Sequence, residues 1–420
     1  MYYMKYVLTA PERINATINL PASKSISNRA LIINALSGNK LVPGNMSDCD
    51  DTEVILNALR DMPEVIDIKA AGTAMRFLTA YLAVTPGEYV LTGTERMQQR
   101  PIKALVDALR YIGAEISYER NAGYPPLRIK GRKLYGGQIE MPGDISSQYI
   151  SALLMIGPML ANGLEVRLTG EIVSRPYIDL TLSVMRNFGA DVDWIGIDTV
   201  KVNPKLYEPK PFFIENDWSA ASYWYEMLVL GGSDESEIRL TGLTDGSRQG
   251  DSAIKYLFSM LGVRTMFKTK ERRVPTTVTL KLVETKPPRL DYDFVNQPDM
   301  VQTLVVCCAL TDTPFRFTGV SSLKIKETDR IEALKIEMRK LGYVLGETGE
   351  GELSWDGERC EPDSDIIINT YDDHRMAMAF APASIVFPGL KIDNPHVVTK
   401  SYPRFWDDLR QAGFIIKEVE

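Results

Sequence analysis

The 420-residue chain repeats itself about every 75 residues, and no other property constrains its fold as tightly. Six segments share one ending, an amphipathic helical pattern that runs into a Leu/Met-Arg/Lys or Leu-Gly stop. They begin near Asp50, Arg100, Arg175, Gly250, Lys326 and Ser401, so successive gaps are 50, 75, 75, 76 and 75 residues. A period of that length marks one supersecondary unit copied along the chain. The short first gap says that the first copy has lost about 25 residues.

Each copy holds two helical patterns. The first starts at a small or polar residue and runs apolar nearly all round, which is the signature of a helix buried on most sides. The six examples span 23–36, 71–83, 146–159, 217–230, 297–310 and 372–384. Ser146, Asp217 and Asp372 are the expected N-cap residues. Between the helices lie the runs EYVLTG, LEVRLTG, EIRLTG and PFRFTG, each a strand closing in a Thr-Gly turn. The unit is therefore βαβαββ. Three such units make one domain of ordinary size, and six make two similar α/β domains. The N-terminal run reads as strand, alternating through Ile14, Ala16, Ile18 and Leu20. The Pro-rich stretch 202–213 reads as the linker.

Bulk properties exclude several classes. Net charge is −7, against a general nucleic-acid binder. No apolar run reaches the roughly 18 residues of a membrane span, and the N-terminus lacks the features of a signal peptide. Cys49, Cys307, Cys308 and Cys360 form neither CxxC nor any metal-ligand spacing. Only two histidines occur, His374 and His396. A cytoplasmic monomer without metal or cofactor is expected.

The cations are harder to explain as scaffold. Lys24, Arg29, Arg76 and Arg375 lie in or beside the openings of the apolar helices. A guanidinium there is costly unless it is paired or holds an anion. Helix N-termini are themselves anion sites. Several such ends, supplemented by Lys and Arg, point to a substrate carrying more than one phosphate or carboxylate.

At these helix starts the residues resemble the 5-enolpyruvylshikimate-3-phosphate synthase family of the enolpyruvyl transferases. The matching strings are PASKSISNRAL (21–31), AGTAMRFL (71–78), TGTERMQQRPI (92–102), SSQYISALL (146–154), SRPYIDLT (174–181) and WSAASYW (218–224). They continue with QPD (297–299), KIKETDRI (324–331), YDDHRMAMAF (371–380) and TKSYPRF (399–405), in the family's order. The resemblance implies two domains of inside-out α/β barrel type with the active site in the interdomain cleft. It assigns 22–214 to the first domain, and 1–21 with 215–420 to the second, the chain crossing twice. It also implies a reaction: the enolpyruvyl group of phosphoenolpyruvate passes to the 5-hydroxyl of shikimate 3-phosphate, and phosphate leaves.

Carried over position by position, the resemblance puts Lys24, Gly72, Arg100, Gln148, Arg330, Arg375 and Lys400 around phosphoenolpyruvate. It puts Ser25, Arg29, Ser146, Ser147, Gln148, Ser174, Tyr177, Asp299, Ser322 and Lys326 around shikimate 3-phosphate. Asp299 is the favoured base and Glu327 the favoured partner for proton traffic at C3, with Lys24 beside them. Without the resemblance, Glu327 and Arg330 read as an ordinary i, i+3 helix pair, and Asp299 as a cap for the helix that follows.

Three departures stand out. Ala70 occupies the family's Asn position before AGTAMR, and Phe77 its Pro position. Ser322 stands where Asn is frequent. The first repeat has only about ten residues between ALRDM and AGTAMR, which predicts the loss of a peripheral hairpin. Two alternatives remain: the UDP-N-acetylglucosamine enolpyruvyl transferase, and a non-catalytic phosphate-ligand-binding relative. The first uses a reactive cysteine on a loop of its first domain, yet no cysteine lies between Cys49 and Cys307. The second has no use for Asp299 and Glu327 together.

Overall fold

The computed structural model describes residues 4–419 apart from 40, 41, 234, 270, 284, 286 and 350. The chain divides into two compact units. One, here the inserted unit, is Ala22–Ile214; the other, the split unit, joins Met1–Pro21 to Glu215–Glu420.

The N-terminal run contributes β1 (Lys5–Thr9) and β2 (Asn15–Asn19). The inserted unit opens with α1 (Lys24–Leu36) and α2 (Asp50–Asp61). It continues with β3 (Val65–Asp67), α3 (Gly72–Val84), β4 (Gly87–Thr92), α4 (Lys103–Tyr111), β5 (Glu115–Tyr118) and β6 (Leu127–Gly131). A second such run follows as β7 (Gly137–Pro142), α5 (Ser147–Ile156), β8 (Leu164–Thr169), α6 (Arg175–Asn187), β9 (Val192–Trp194) and β10 (Thr199–Val202). The split unit resumes with α7 (Trp218–Gly231), β11 (Glu237–Thr244), α8 (Ile254–Met260), β12 (Val263–Phe267) and β13 (Pro275–Leu282). Next come β14 (Leu290–Asp293), α9 (Val301–Leu310), β15 (Phe315–Thr318), α10 (Arg330–Lys340), β16 (Gly346–Glu347) and β17 (Leu353–Trp355). The last run is β18 (Ile367–Ile368), α11 (His374–Phe380), β19 (Lys391–Asp393), α12 (Phe405–Gln411) and β20 (Ile415–Val419).

Among the described residues the strands form five four-stranded sheets, all wired alike. In β3-β4-β6-β5 the first pair is parallel, joined across α3, and a hairpin then adds two antiparallel strands. This is the βαβαββ unit. The N-terminal strands serve two different copies: β2 runs parallel to β11, and β1 lies antiparallel between β19 and β20. The N-terminal run is thus two strands, not one. Alternation holds over Ile14, Ile18 and Leu20, all buried, but the chain bends at Glu12 and Arg13.

The first copy, the one with the short period, has no sheet of its own among the described residues. Only three residues separate α2 from β3, so the hairpin is missing. What remains of the parallel pair is one bridge, Gly44 to Phe213, with Gly44 N donating to Phe212 O at 2.8 Å and Ile214 N to Gly44 O at 3.0 Å. A two-stranded remnant without a third partner is marginal, which accounts for its contraction to a bridge. The Pro-rich stretch is not a loose tether. Tyr207 OH donates to Met155 O at 2.8 Å and Glu208 N to Phe188 O at 2.7 Å, holding it to the inserted unit.

Each unit has its own core, built on the apolar helices. In the inserted unit α1, α3 and α5 pack together; in the split unit α9 packs against α7 and α11. All ten residues of α9 are buried, Cys307 and Cys308 among them. The second helix of each copy keeps one wet face, as in α4, where Leu105, Val106 and Leu109 are buried. No helix among the described residues is long and apolar enough to cross a membrane. Ser146 and Asp217 cap α5 and α7 as expected. The cap of α11 is Asp373 rather than Asp372, whose φ of 54° belongs to the preceding turn.

Candidate functional site

In the inserted unit the candidate residues sit at helix starts. Ser23 caps α1, and Lys24 follows it with Nζ 3.4 Å from Oδ2 of the buried Asp51 in the first turn of α2. Arg29, one turn into α1, is buried and bonded wholly to neutral acceptors. It donates to Thr181 Oγ1 (2.7 Å), Ser25 O (2.9 Å), Ser151 Oγ (3.3 Å) and Tyr177 O (3.3 Å), with Phe77 beneath its guanidinium at 5.3 Å. Burial lowers its pKa to about 10. One side chain thus ties α1 to α5 and α6, and joins Ser25 to Tyr177. Ser174 precedes α6 in a left-handed conformation (φ 55°) and is buried.

The start of α3 is more open to chemistry. Its N-cap position is Ala71, which offers no side-chain cap, so the first N–H groups of the helix are left for other partners. Gly72 is the first helical residue. A Cβ there would lie 2.8 Å from Arg100 Nη1 and 2.9 Å from Arg76 Nη1. Two guanidiniums therefore flank a helix N-terminus at the point where a side chain would push them aside. Arg76 is buried, donates to Gly72 O at 2.9 Å and lies over Tyr149. Gln148, after the Ser146 cap and the buried Ser147, reaches back to Thr73 Oγ1 at 3.2 Å, joining α5 to α3.

In the split unit the candidate residues converge on two carboxylates. Asp299 sits in the short 3-10 turn Pro298–Met300 ahead of α9. It does not cap that helix. Instead Oδ1 accepts from Arg330 Nη1 (3.0 Å) and Oδ2 from Arg375 Nη2 (2.9 Å), with Lys326 Nζ at 3.8 Å. Glu327 receives Arg330 Nη2 at 3.0 Å and Lys400 Nζ at 3.1 Å. Behind them Asp373 holds Arg330 at both Nε (2.6 Å) and Nη2 (3.2 Å), while its Oδ1 also accepts from Arg375 N at the start of α11. Four cations thus meet three carboxylates, leaving one positive charge in excess.

Electrostatics follow from this packing. Partial burial pushes the Asp299 carboxyl up, but the charges of Arg375, Lys326 and Arg330 outweigh it and hold the group well below the usual carboxylate range. Burial works against Arg330 too, yet Asp373, Glu327 and Asp299 keep it firmly protonated. Lys326 is lowered, chiefly by burial, with Asp299 opposing.

Ser322 makes no side-chain hydrogen bond among the described residues, and the structure does not tie it to the Asp299 cluster. Three residues outside the expected set touch members of it: Asp51 on Lys24, Arg76 on Gly72 and Asp373 on Arg330. Arg76 and Asp373 were visible within AGTAMRFL and YDDHRMAMAF. Asp51 carries no signal beyond its place in an acidic first turn.

Known proteins agree with this frame. The family model described as EPSP synthase (3-phosphoshikimate 1-carboxyvinyltransferase) matches residues 8–409. A 3-phosphoshikimate 1-carboxyvinyltransferase of Bacteroides fragilis is 61% identical over 417 residues, covering 99% of this chain and 100% of the relative. One from Shewanella halifaxensis is 33% identical, over 94% of this chain and 96% of its own length. The solved EPSP synthase of Acinetobacter baumannii shares the fold, with a TM-score of 0.77 at 20% identity over the full length of both chains. The enolpyruvyl transferase NikO of Streptomyces tendae does so with a TM-score of 0.75 at 16% identity, covering 99% of each. With its helix-start cations, its Asp299 cluster and these full-length matches, the chain belongs to the EPSP synthase (3-phosphoshikimate 1-carboxyvinyltransferase) family.

Proposed function

We propose that this chain, as a cytoplasmic monomer of the shikimate pathway, transfers the enolpyruvyl group of phosphoenolpyruvate to the 5-hydroxyl of shikimate 3-phosphate. The observation that carries the reading is the Asp299 cluster, in which a carboxylate suited to proton abstraction is masked by the cations that would bind phosphoenolpyruvate.

The chemistry is addition followed by elimination. C3 of phosphoenolpyruvate gains a proton, the 5-oxygen forms a bond to C2, and the hydroxyl proton passes to a base. The bond from C2 to the phosphate oxygen then breaks, C3 gives back a proton, and phosphate departs. Asp299 is the base for the hydroxyl. Glu327, paired with Lys400, handles the proton at C3, with Lys24 as the second cationic participant. General acid–base catalysis of this kind contributes about 10²–10⁴-fold.

The salt bridges support an order of events. While Arg330 and Arg375 lie on Asp299, its carboxylate is a poor base. A phosphoenolpyruvate carboxylate and phosphate that take over those guanidiniums, with their planar forks, remove the charges that depress it. Its proton affinity rises as substrate binds. Arg100 and Gly72 at the start of α3, with Gln148, complete the phosphoenolpyruvate set. Ser25, Arg29, Ser146, Ser147, Gln148, Ser174, Tyr177, Ser322 and Lys326 serve shikimate 3-phosphate. Arg29 supports this grouping by linking the Ser25 and Tyr177 carbonyls.

The test is phosphate release by the purified chain, with each substrate omitted in turn. Release that requires both is expected. Binding of shikimate 3-phosphate without release would put the non-catalytic alternative in its place.

A further inference from the structure

Outside the residues assigned to the reaction, the split unit carries another concentration of positive charge, one that is poorly neutralised among the described residues. A cavity of about 490 Å³ is lined by Gly246, Ser247, Arg248, Arg272 and Arg273. One wall is the loop after β11, and the other is the turn between β12 and β13. The two are tied together: Arg273 N donates to Asp245 O at 2.9 Å, and Arg273 takes a φ of 63° to do so. Left-handed backbone is unfavourable for a bulky residue and persists only where its surroundings impose it.

The loop wall is braced from behind. Ser247 Oγ and Gln249 Nε2 both donate to Glu215 Oε1. Gln249 also bonds Asn216 O (2.8 Å) and accepts from Trp218 N (3.1 Å) at the start of α7. Gly246 takes a φ of 69°, a left-handed turn that favours glycine, and lies beside the Arg272 guanidinium, 3.6 Å from Nε at its Cβ position. The cavity is therefore built on a fixed frame.

Its charge is not neutralised within the protein. The guanidiniums of Arg248 and Arg273 make no hydrogen bond or ion pair among the described residues, and Arg272 reaches only Asp245 Oδ2 at 4.0 Å. Asp245 is itself engaged by Lys255 Nζ at 3.3 Å. Elsewhere on the surface, arginines such as Arg128, Arg289 and Arg316 lie on carboxylates within 3.0 Å.

We propose that this cavity is an anion site for a small phosphate-bearing ligand, inorganic phosphate or a phosphate monoester. Three guanidiniums around one cavity match the several acceptor oxygens and the double charge of a phosphate group, which a single carboxylate does not supply. The volume suits a ligand of metabolite size. The proposal does not depend on the reading of the reaction.

Calorimetric titration of the full-length protein with inorganic phosphate, pyrophosphate and citrate, at low salt, tests it. Two backgrounds separate the sites: Arg100→Gln/Lys400→Met and Arg248→Gln/Arg272→Gln, with the single Arg248→Glu as a second lesion of the new site. Phosphate and pyrophosphate binding is expected to persist in the first with unchanged Kd. It should weaken by about tenfold or more in the second, and in Arg248→Glu. The exposed Arg248 and Arg272 variants should keep the wild-type melting temperature and their turnover in phosphate-free buffer. Loss of all binding in the Arg100/Lys400 background would overturn the proposal, as would an unchanged Kd in both Arg248 variants. Citrate binding as tightly as pyrophosphate would overturn the assignment to phosphate.

Discussion

Asp373 grips Arg330 through both carboxylate oxygens while capping the helix that begins beside Arg375. One buried carboxylate therefore sets the position of two guanidiniums, one by side-chain contact and one through the backbone.

Asp373→Asn should damage stability and binding together. The pair is almost fully buried, at 2% and 0% side-chain exposure, and breaking such a pair costs about 3–5 kcal/mol. Urea unfolding should show a loss of that order, and KM for phosphoenolpyruvate should rise. A variant as stable as wild type would show that Asp299 and Glu327 alone suffice to hold Arg330.

Asp299→Asn separates catalysis from binding. Turnover should fall about 10²–10⁴-fold, while phosphoenolpyruvate binds at least as well, since Arg330 and Arg375 lose a competing carboxylate. Comparing kcat with an equilibrium Kd checks this, and an equal loss in both would remove Asp299 from the proton path. The same variant has a pH signature. The depressed Asp299 pKa gives a stability contribution that is whole above the unfolded value of about 3.9 and is lost as pH falls below it. The acid limb of the wild-type profile should therefore be steeper than that of the variant.

Gly72→Ala should act on affinity rather than fold. The new methyl would meet the ends of Arg100 and Arg76 at 2.8 and 2.9 Å, atoms that can swing aside. Melting should change little, and KM for phosphoenolpyruvate should rise about tenfold as the two forks are displaced, a shift of roughly 1.4 kcal/mol. A large fall in melting temperature with KM intact would contradict this.

Glu226 offers a test within the core. It lies in α7 with no exposure, and neither carboxylate oxygen has a hydrogen-bond partner among the described residues. Burial raises its pKa well above the usual value. A raised acid costs the native state progressively as pH climbs above about 4.3, because only the unfolded chain then ionises freely. Glu226→Gln should gain stability relative to wild type at pH 8 compared with pH 4.5. A constant difference across that range would mean that Glu226 is already ionised in the fold.

Much of this was legible because periodicity is local. The apolar helices from Lys24, Gly72 and Trp218 could be bounded from hydrophobic runs and their caps. The split of the N-terminal run was not, because β1 and β2 choose partners more than 200 residues away, and nothing in residues 10–13 announces which. Asp372 and Asp373 were equivalent as letters; only the left-handed turn decides which of them caps α11. Asp51 and Arg76 became site residues through contacts with Lys24 and Gly72 that no spacing rule contains.

The placement of β1 between β19 and β20 has a consequence for biosynthesis. A ribosome releases the inserted unit complete while the split unit still lacks most of its chain. The first strand made must wait for the last before its sheet can close. The inserted unit is free to fold early, as N-terminal domains generally do, whereas β2 stays unpaired until β11 is made and β1 until the last two strands are. Removing the final strand would strip β1 of one neighbour and leave exposed the kind of open edge that invites aggregation.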